Sequence, residues 1–273
     1  MVDRRMAVVV PAFGKESLTR LVVEDLVRER DLARVVVVDN AGDLDPARFP
    51  TDVELVVPGS NLGWLRGTNL GMERALSSGA ASVMGLNNDT RLSRSFVRGM
   101  ADALAAHPLA LVGPCYDDSF EHQNRYYRGH PVDFQPRSVE VSAPAIDGTC
   151  FALSSAQVRQ TGLLDARRFG RRGWGAIQDY AIRVRQAGGQ VLVTRRAYLA
   201  HDRGSTARAS MSSYERYAAS EMRIGMMRKY GRRWRNVVDT DASETDSARR
   251  VLGDMTRAVE DRLGLSETWV GRR

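Results

Sequence analysis

Between residues 6 and 115 short apolar runs alternate with amphipathic stretches, and most of the runs end in polar residues. Residues 6–12, 34–39, 53–57, 82–86 and 109–115 are mostly apolar and rich in valine, and they read as strands. Between them, residues 15–30 place Leu18, Leu21, Val22, Leu26 and Val27 at helical spacing. Residues 64–78 read as a second helix. Residues 93–107 read as a third, with Ser93 as its N-cap and Pro108 just beyond its end. A chain that alternates in this way is expected to fold as α/β, with an open, mostly parallel sheet and helices on both faces.

The pattern breaks over residues 116–145, which hold His122, Tyr126, Tyr127, His130, Pro131, Pro136 and Pro144 and read as a long loop or hairpin. Strand character returns at 146–153, a helix at 176–187 is stopped by Gly188-Gly189, and 191–194 and 197–200 read as strands. After about residue 207 the chain becomes charged and rich in Met and Arg, with helices expected over 214–230 and 243–263. The organisation expected is a body over 1–206, divided into 1–115 and 116–206, followed by a helical extension over 207–273. That extension has three readings: helices packed on the body, a contact between two copies in a homodimer, or a basic face lying on a membrane.

Composition narrows the classes. At 273 residues the chain can bury roughly three quarters of its unfolded surface, so no disulfide or metal is needed to hold it folded. Cys115 and Cys150 are too few and too far apart for a disulfide scaffold or a zinc site, Cys150 reads as a free, buried thiol, and a reducing compartment fits. No run approaches the roughly 20 apolar residues of a membrane span. The expected location is cytoplasmic, with peripheral contact at the inner membrane face left open. The net charge is +7, and of 40 basic residues only Lys15 and Lys229 are lysine. Arginine forks suit phosphates and carboxylates. These arginines are spread among 33 acidic residues with no recognition motif, so no nucleic-acid partner is expected.

In an open α/β sheet, ligands collect beyond the carboxyl ends of the strands. Four such places carry polar residues here. They are Pro11-Ala12 with Glu16, Asp39-Asn40, the glycine-rich Asn61 to Gly71, and Asn87-Asn88-Asp89. Asp39 has a rival reading as a turn or cap residue. Gly63, Gly67 and Gly71 do not form a dinucleotide fingerprint, but they place small residues and amide donors where a base or phosphate could approach. A strand-terminal Asp89 suits a hard cation, which takes carboxylate oxygen and keeps water and phosphate as further ligands. Later in the chain, Asp179 lies in the first turn of a helix. His201 follows an apolar strand and precedes Gly204-Ser205, where a metal and a phosphate could be bound together.

Taken in order, these segments resemble the inverting family-2 glycosyltransferases of the GT-A fold, with rhamnosyltransferase-like bacterial members among them. Pro11-Ala12 with Glu16, Val38-Asp39-Asn40, Asn61-x-Gly63, Gly67-x-Asn69-x-Gly71 and Asn87-Asn88-Asp89 look like that family's nucleotide-sugar half. Asp147-Gly148-Thr149-Cys150-Phe151, Gly162-Leu163-Leu164-Asp165, Trp174-Gly175 with Gln178-Asp179, and His201-x-x-Gly204-Ser205 look like its acceptor half. The likeness covers residues 6–206.

The resemblance implies transfer of a hexose or deoxyhexose from a uridine or thymidine diphosphate sugar to a hydroxyl. The acceptor would be a glycan, a lipid-linked glycan or a small natural product. Asp89 carries over as ligand of Mn2+ or Mg2+, with His201 as a second ligand. The family's Asp-x-Asp has Asn87 in its first place, which assigns Asn87 to the ribose or to a metal-bound water. Asp179 carries over as the base, and Gln178 stands where the family often has a Glu. Asp39 and Glu16 would hold the nucleoside, with Asn61, Gly63 and Arg66 on its far side and Asn69 and Asn88 nearby. Gly204-Ser205 would donate to the phosphates. Asp147, Gly148 and Trp174 would face the donor sugar and acceptor. Two alternatives stay open: a catalytically inactive nucleotide-sugar or glycan-binding protein, and a sugar nucleotidyltransferase.

Overall fold

A computed structural model describes residues 5–117, 121–201, 211–232, 234 and 237. β1 (Met6–Ala12), α1 (Glu16–Leu26), β2 (Leu32–Asp39), β3 (Val53–Val56), α2 (Gly63–Ser77) and β4 (Ser82–Leu86) open the chain. β5 (Thr90–Leu92), α3 (Phe96–Ala106), β6 (Ala110–Tyr116), α4 (Glu121–Asn124), β7 (Glu140–Ser142) and β8 (Cys150–Ser154) follow. The rest is α5 (Ser155–Thr161), α6 (Ala176–Gln186), β9 (Gln190–His201) and α7 (Met211–Tyr230).

The nine strands form one sheet in the order β3-β2-β1-β4-β8-β6-β9-β5, with β7 paired to β9. Parallel pairing joins β3, β2, β1 and β4, and also β6 and β9, and carries most of the register. β8 runs antiparallel between β4 and β6, so the parts before and after residue 115 share one sheet. The chain winds outward from β1 through β2 to β3, then returns to β4 on the other side of β1. That reversal is where open sheets of this kind leave a crevice at their carboxyl ends.

Strand alternation decides which side chain enters which core. Ala7 and Val9 join Val36, Val38, Leu65 and Met72 of α2, and Ile177 of α6, on one face. Val8 and Val10 join Val35, Val37, Val22 and Leu26 of α1, and Phe96 and Met100 of α3, on the other. Helices therefore cover both faces, as the sequence pattern requires.

The glycine repeat of α2 has a packing role of its own. A Cβ on Gly71 would lie 2.2 Å from Val9 Cγ1, and one on Gly67 would lie 2.9 Å from Asn40 Nδ2. The repeat is the smooth face on which α2 lies against the ends of β1 and β2. Gly63 differs, with φ of +73° and a virtual Cβ 2.6 Å from the Arg171 carbonyl oxygen. Only glycine admits both that backbone conformation and that close approach.

Two local expectations are corrected and two further elements were not expected. α3 starts at Phe96, and Ser93 Oγ instead accepts the N–H of Tyr198 at 3.1 Å. β5 was not expected, because three residues are too few to show a period. Residues 191–194 and 197–200 are parts of one strand, β9, with a register irregularity opposite Pro114 and Cys115. α5 is an additional helix, capped by Ser154 Oγ on the N–H of Gln157 at 2.9 Å.

Of the extension, α7 packs on the body: Met226 is buried, and Gly225 and Met222 lie against Phe169 and the Gly175 backbone. The helix expected at 243–263 lies outside the described residues. Cys115 and Cys150 are buried and unpaired, and burial pushes the Cys115 thiol up to about 12. No described helix is long and apolar enough to cross a membrane.

Gly71→Ala tests the packing of α2. The gain in helix propensity is about 1 kcal/mol, whereas overpacking costs about 1–3 kcal/mol. At 2.2 Å from a valine that is stiff at χ1, overpacking is the larger effect. The variant is expected to lose about 1–2 kcal/mol in urea unfolding, with an unchanged m value.

Candidate functional site

Thr90 of β5 lies opposite His201 of β9 in their antiparallel register. That pairing brings Asp89, one residue before the strand, against the last residue of β9. Asp89 Oδ1 and His201 Nε2 stand 3.0 Å apart, with side chains only 15% and 14% exposed. Burial alone would lower the His201 pKa. The bond and charge of Asp89, with the charges of Asp147 and Asp117, raise it overall.

The surroundings fix both members of the pair. The His201 N–H donates to Asp117 Oδ1 at 3.0 Å, and Nδ1 lies 2.9 Å from the hydroxyl of buried Tyr116. The Tyr116 hydroxyl also meets Thr149 Oγ1 at 3.1 Å. Thr149 N donates to Asp147 Oδ1 at 2.7 Å, and the Thr149 carbonyl accepts from Asn87 N at 2.9 Å. Trp64, at the start of α2, donates from Nε1 to Asn87 Oδ1 at 2.7 Å, and its ring lies against Gly173 and near Gly148. The expected Asn87, Asp89, Asp147, Gly148 and His201 are thus brought together. Tyr116 and Asp117 complete the group without having been singled out, as do Thr149 and Trp64, which stood inside segments considered but were assigned no role. An aromatic beside the helix-opening Gly63 was the one signal the sequence offered for Trp64.

Other expected residues hold the fold. Asp39 is 1% exposed, and its carboxylate accepts the N–H groups of Ala41, Gly42 and Leu44 at 2.8 to 3.1 Å. Its oxygens close the loop after β2, the arrangement of the turn reading. Glu16 accepts from Arg48 Nη1 at 2.9 Å and from Asp45 N at 3.3 Å on the same loop. Asn69 bonds both ways with the Leu164 backbone, at 2.8 and 3.2 Å, so it ties α2 to the loop before α6. Asn61 Oδ1 accepts the Gly63 N–H at 2.8 Å, and Asn88 Nδ2 donates to Thr19 Oγ1 at 3.0 Å. Pro11 and Ala12 are buried in β1, and the Ala12 carbonyl accepts from Asn40 N at 2.9 Å. Arg66 is exposed on α2, Trp174 is half-buried and Gln178 is buried. Gly204 and Ser205 lie outside the described residues.

Asp179 is the largest departure. It is 0% exposed. Its Oδ2 accepts from Arg183 Nε at 2.9 Å, while Oδ1 accepts from Tyr230 Oη at 2.7 Å and faces Lys229 Nζ at 2.7 Å. A carboxylate held in this way anchors α7, with both oxygens engaged by the protein's own donors. In the first turn of α6, Ile177 is the side chain that approaches Gly148 and Trp64, its Cγ1 lying 3.3 Å from a virtual Gly148 Cβ.

Among the described residues no three His, Cys, Asp or Glu side chains converge as a metal cluster. The Asp89–His201 pair still fits a cation that takes its other ligands from water and phosphate. Donors on adjacent corners of an octahedron, each about 2.1 Å from its centre, stand about 3.0 Å apart. An open groove of about 560 Å3 lined by Leu76, Ala80, Val158 and Leu163 lies at the amino end of β4, the opposite end from this pair.

The comparisons place this fold among known proteins. No protein-family model matches the chain. The uncharacterized proteins Mb1552 of Mycobacterium bovis and Rv1525 of Mycobacterium tuberculosis are each 33% identical to it over 228 residues, covering 83% of this chain and 85% of theirs. Among solved structures, the mannosyltransferase PcManGT from Pyrobaculum calidifontis, in complex with GDP-Man and Mn2+, matches 98% of this chain and 88% of its own, with TM-score 0.61 and 12% identity. GalNAc-T7 with UDP, GalNAc and Mn2+ matches with TM-score 0.57 and 12% identity over 97% of this chain, which spans 57% of it. S. aureus TarS matches with TM-score 0.54 and 13% identity over 96% of this chain and 50% of its own. The fold is that of the GT-A glycosyltransferases.

The anchoring of α7 gives two expected outcomes. Asp179→Asn leaves Arg183 and Lys229 facing a neutral group, and unfolding titrations are expected to show a loss on the order of 3 kcal/mol. Lys229 also meets Asp165 at 2.9 Å. Burial alone would raise Asp165, but the bond and charge of Lys229, with the N–H groups of Arg167 and Arg168, lower its pKa overall. Its stabilising share is therefore full above the unfolded value of about 3.9. It is lost as pH falls through the lower folded value. Lys229→Met is expected to remove this share and flatten that part of the stability-versus-pH curve.

Proposed function

The chain belongs to the family of these mycobacterial proteins, and for it we propose inverting transfer of a sugar from a nucleoside diphosphate to an acceptor hydroxyl, assisted by a divalent cation. The observation that carries this reading is the carboxylate–imidazole pair of Asp89 and His201 at the carboxyl ends of β4 and β9, 3.0 Å apart. Mn2+ or Mg2+ would be held by these two side chains and, when bound, would neutralise charge on the departing diphosphate. Mn2+ in the GalNAc-T7 and PcManGT structures supports the choice of cation.

The protein's own groups supply the rest. Trp64 and the Thr149 carbonyl hold Asn87 beside the pair. An inverting displacement needs a carboxylate at the acceptor that the fold has not already used. Asp147 meets that need. Its Oδ1 accepts from Thr149 N, its Oδ2 has no hydrogen-bond partner among the described residues, and its charge is felt at His201. Asp147 therefore takes the acceptor proton as the hydroxyl oxygen attacks the anomeric carbon, and the sugar–phosphate bond breaks on the opposite side. Arg66, exposed near the start of α2, is available to the diphosphate. The donor base is uracil or thymine in this reading, and with Asp39 committed to its loop it is recognised by other groups. The protein works without nucleic acid as a partner.

One observation favours a second reading, a nucleotide-sugar-binding protein without turnover. The acid of α6 is sequestered, and apolar Ile177 is the side chain its first turn brings to Gly148. Asp147 separates the two readings.

Thermal shift with uridine, thymidine, guanosine and adenosine diphosphates, each with and without Mn2+, tests binding. Saturation at a hundredfold excess over Kd adds about 2.7 kcal/mol. A Mn2+-dependent shift with the uridine or thymidine compound, lost in Asp89→Ala, is expected. No shift with any nucleotide would contradict the reading. Asp147→Asn is expected to keep that shift while lowering kcat by about 10²–10⁴-fold. Unchanged turnover in Asp147→Asn would remove the base assignment.

A further inference from the structure

Tyr116 ends β6 and is 1% exposed, yet its hydroxyl lies between two polar side chains, Thr149 Oγ1 at 3.1 Å and His201 Nδ1 at 2.9 Å. With His201 Nε2 at 3.0 Å from Asp89, this makes a continuous chain from Thr149 through Tyr116 and His201 to Asp89. The register of β6 with β9 sets Tyr116 opposite Leu199, two residues before His201, so the ring reaches the imidazole from the neighbouring strand. The two rings are 5.9 Å apart and tilted by 42°. A phenylalanine would fill the same space, so packing alone does not call for the hydroxyl.

We propose that Tyr116 is the positioning residue of the Asp89–His201 site, its hydroxyl holding the His201 ring with Nε2 toward Asp89 in both hydrogen arrangements that the site must adopt. The inference rests on the cation reading of the pair. A hydroxyl can both donate and accept, and it rotates to suit. In the neutral ring with Nε2–H facing the Asp89 carboxylate, Nδ1 is the acceptor and Tyr116 donates to it. When Nε2 gives its lone pair to a cation, the hydrogen of the neutral ring sits on Nδ1. Tyr116 then accepts from Nδ1 and turns its own hydrogen to Thr149 Oγ1. Starting from the neutral ring, the imidazole exchanges one N–H for the other, and no buried polar atom loses its partner. A backbone carbonyl at this place could serve only the second arrangement, because it cannot donate.

The test uses the full chain and Mn2+ itself, titrated in the presence of uridine diphosphate and followed by the electron paramagnetic resonance of the free ion. Tyr116→Phe is expected to weaken Mn2+ binding about 10–100-fold while melting within a few degrees of wild type. Thr149→Val, which removes only the far acceptor, is expected to weaken it less. Nitrogen NMR of the histidine rings gives a readout independent of activity. The His201 N–H is expected to move from Nε2 to Nδ1 on adding Mg2+ in the wild type, and to give a mixture in Tyr116→Phe. If both variants bind Mn2+ like wild type while Asp89→Ala and His201→Ala lose it, Tyr116 only packs and the inference is overturned, with the cation site intact. If wild type binds no Mn2+, or binds it regardless of Asp89 and His201, the cation reading falls and this inference falls with it.

Discussion

Thr90 lies opposite His201 in the antiparallel pairing of β5 with β9, and the site's geometry depends on that register. A slip of one residue would turn the imidazole to the other face of the sheet. In register, it meets Asp89 at 3.0 Å and the Tyr116 hydroxyl at 2.9 Å. The parallel pairing of β6 with β9 brings in Tyr116, and the antiparallel pairing of β4 with β8 brings Asn87 beside Thr149. Three strand registers, rather than one motif, build the constellation. Its position at the carboxyl ends of β4 and β9, next to the reversal of strand order, is where the topology leaves room for a ligand.

Much of the arginine content has structural work. Arg183 reaches Asp179 and the carbonyls of Thr161 and Leu163, Arg185 reaches the Pro144 carbonyl, and Arg171 reaches the Asn61 carbonyl. Arg196 pairs with Glu140 at 2.6 Å and meets Ser138, and Arg172 pairs with Glu221 of α7 at 2.8 Å beneath the rings of Tyr214 and Tyr217. A guanidinium fork can satisfy several carbonyls at once, so loops without regular backbone bonding are tied to their neighbours. The net charge of +7 is therefore not simply a measure of affinity for phosphate.

The sheet was legible because its signal is collective. β1 and β4 fall where the apolar runs lie, and β2, β3 and β6 differ from the expected bounds by one or two residues. β5 and β7 were hidden because three residues carry no period, and they exist only through pairing with β9. Where polar chemistry and strand end coincide, at Asn87, Asp89, Asp147 and His201, the residues singled out from sequence lie together in the fold. Sequence does not separate the structural from the chemical use of a carboxylate that has two possible partners. From sequence, Asp39 and Asp179 look as available as Asp89. Only packing reveals that three backbone N–H groups occupy Asp39 and that Arg183, Lys229 and Tyr230 occupy Asp179. Tyr116 and the role of the Thr149 hydroxyl were missed for the converse reason, since these polar atoms meet across more than 30 residues of sequence.

The central claim is that Asp89 and His201 together form the cation and diphosphate site. Crystals grown with Mn2+ and uridine diphosphate, measured at the manganese absorption edge, test it most directly. The account predicts one anomalous peak within about 2.0–2.3 Å of both Asp89 Oδ1 and His201 Nε2, with the diphosphate on its open side. A peak held by other residues, or a nucleotide seated in the groove beside Leu76 and Val158 with the pair still bonded to itself, would contradict it.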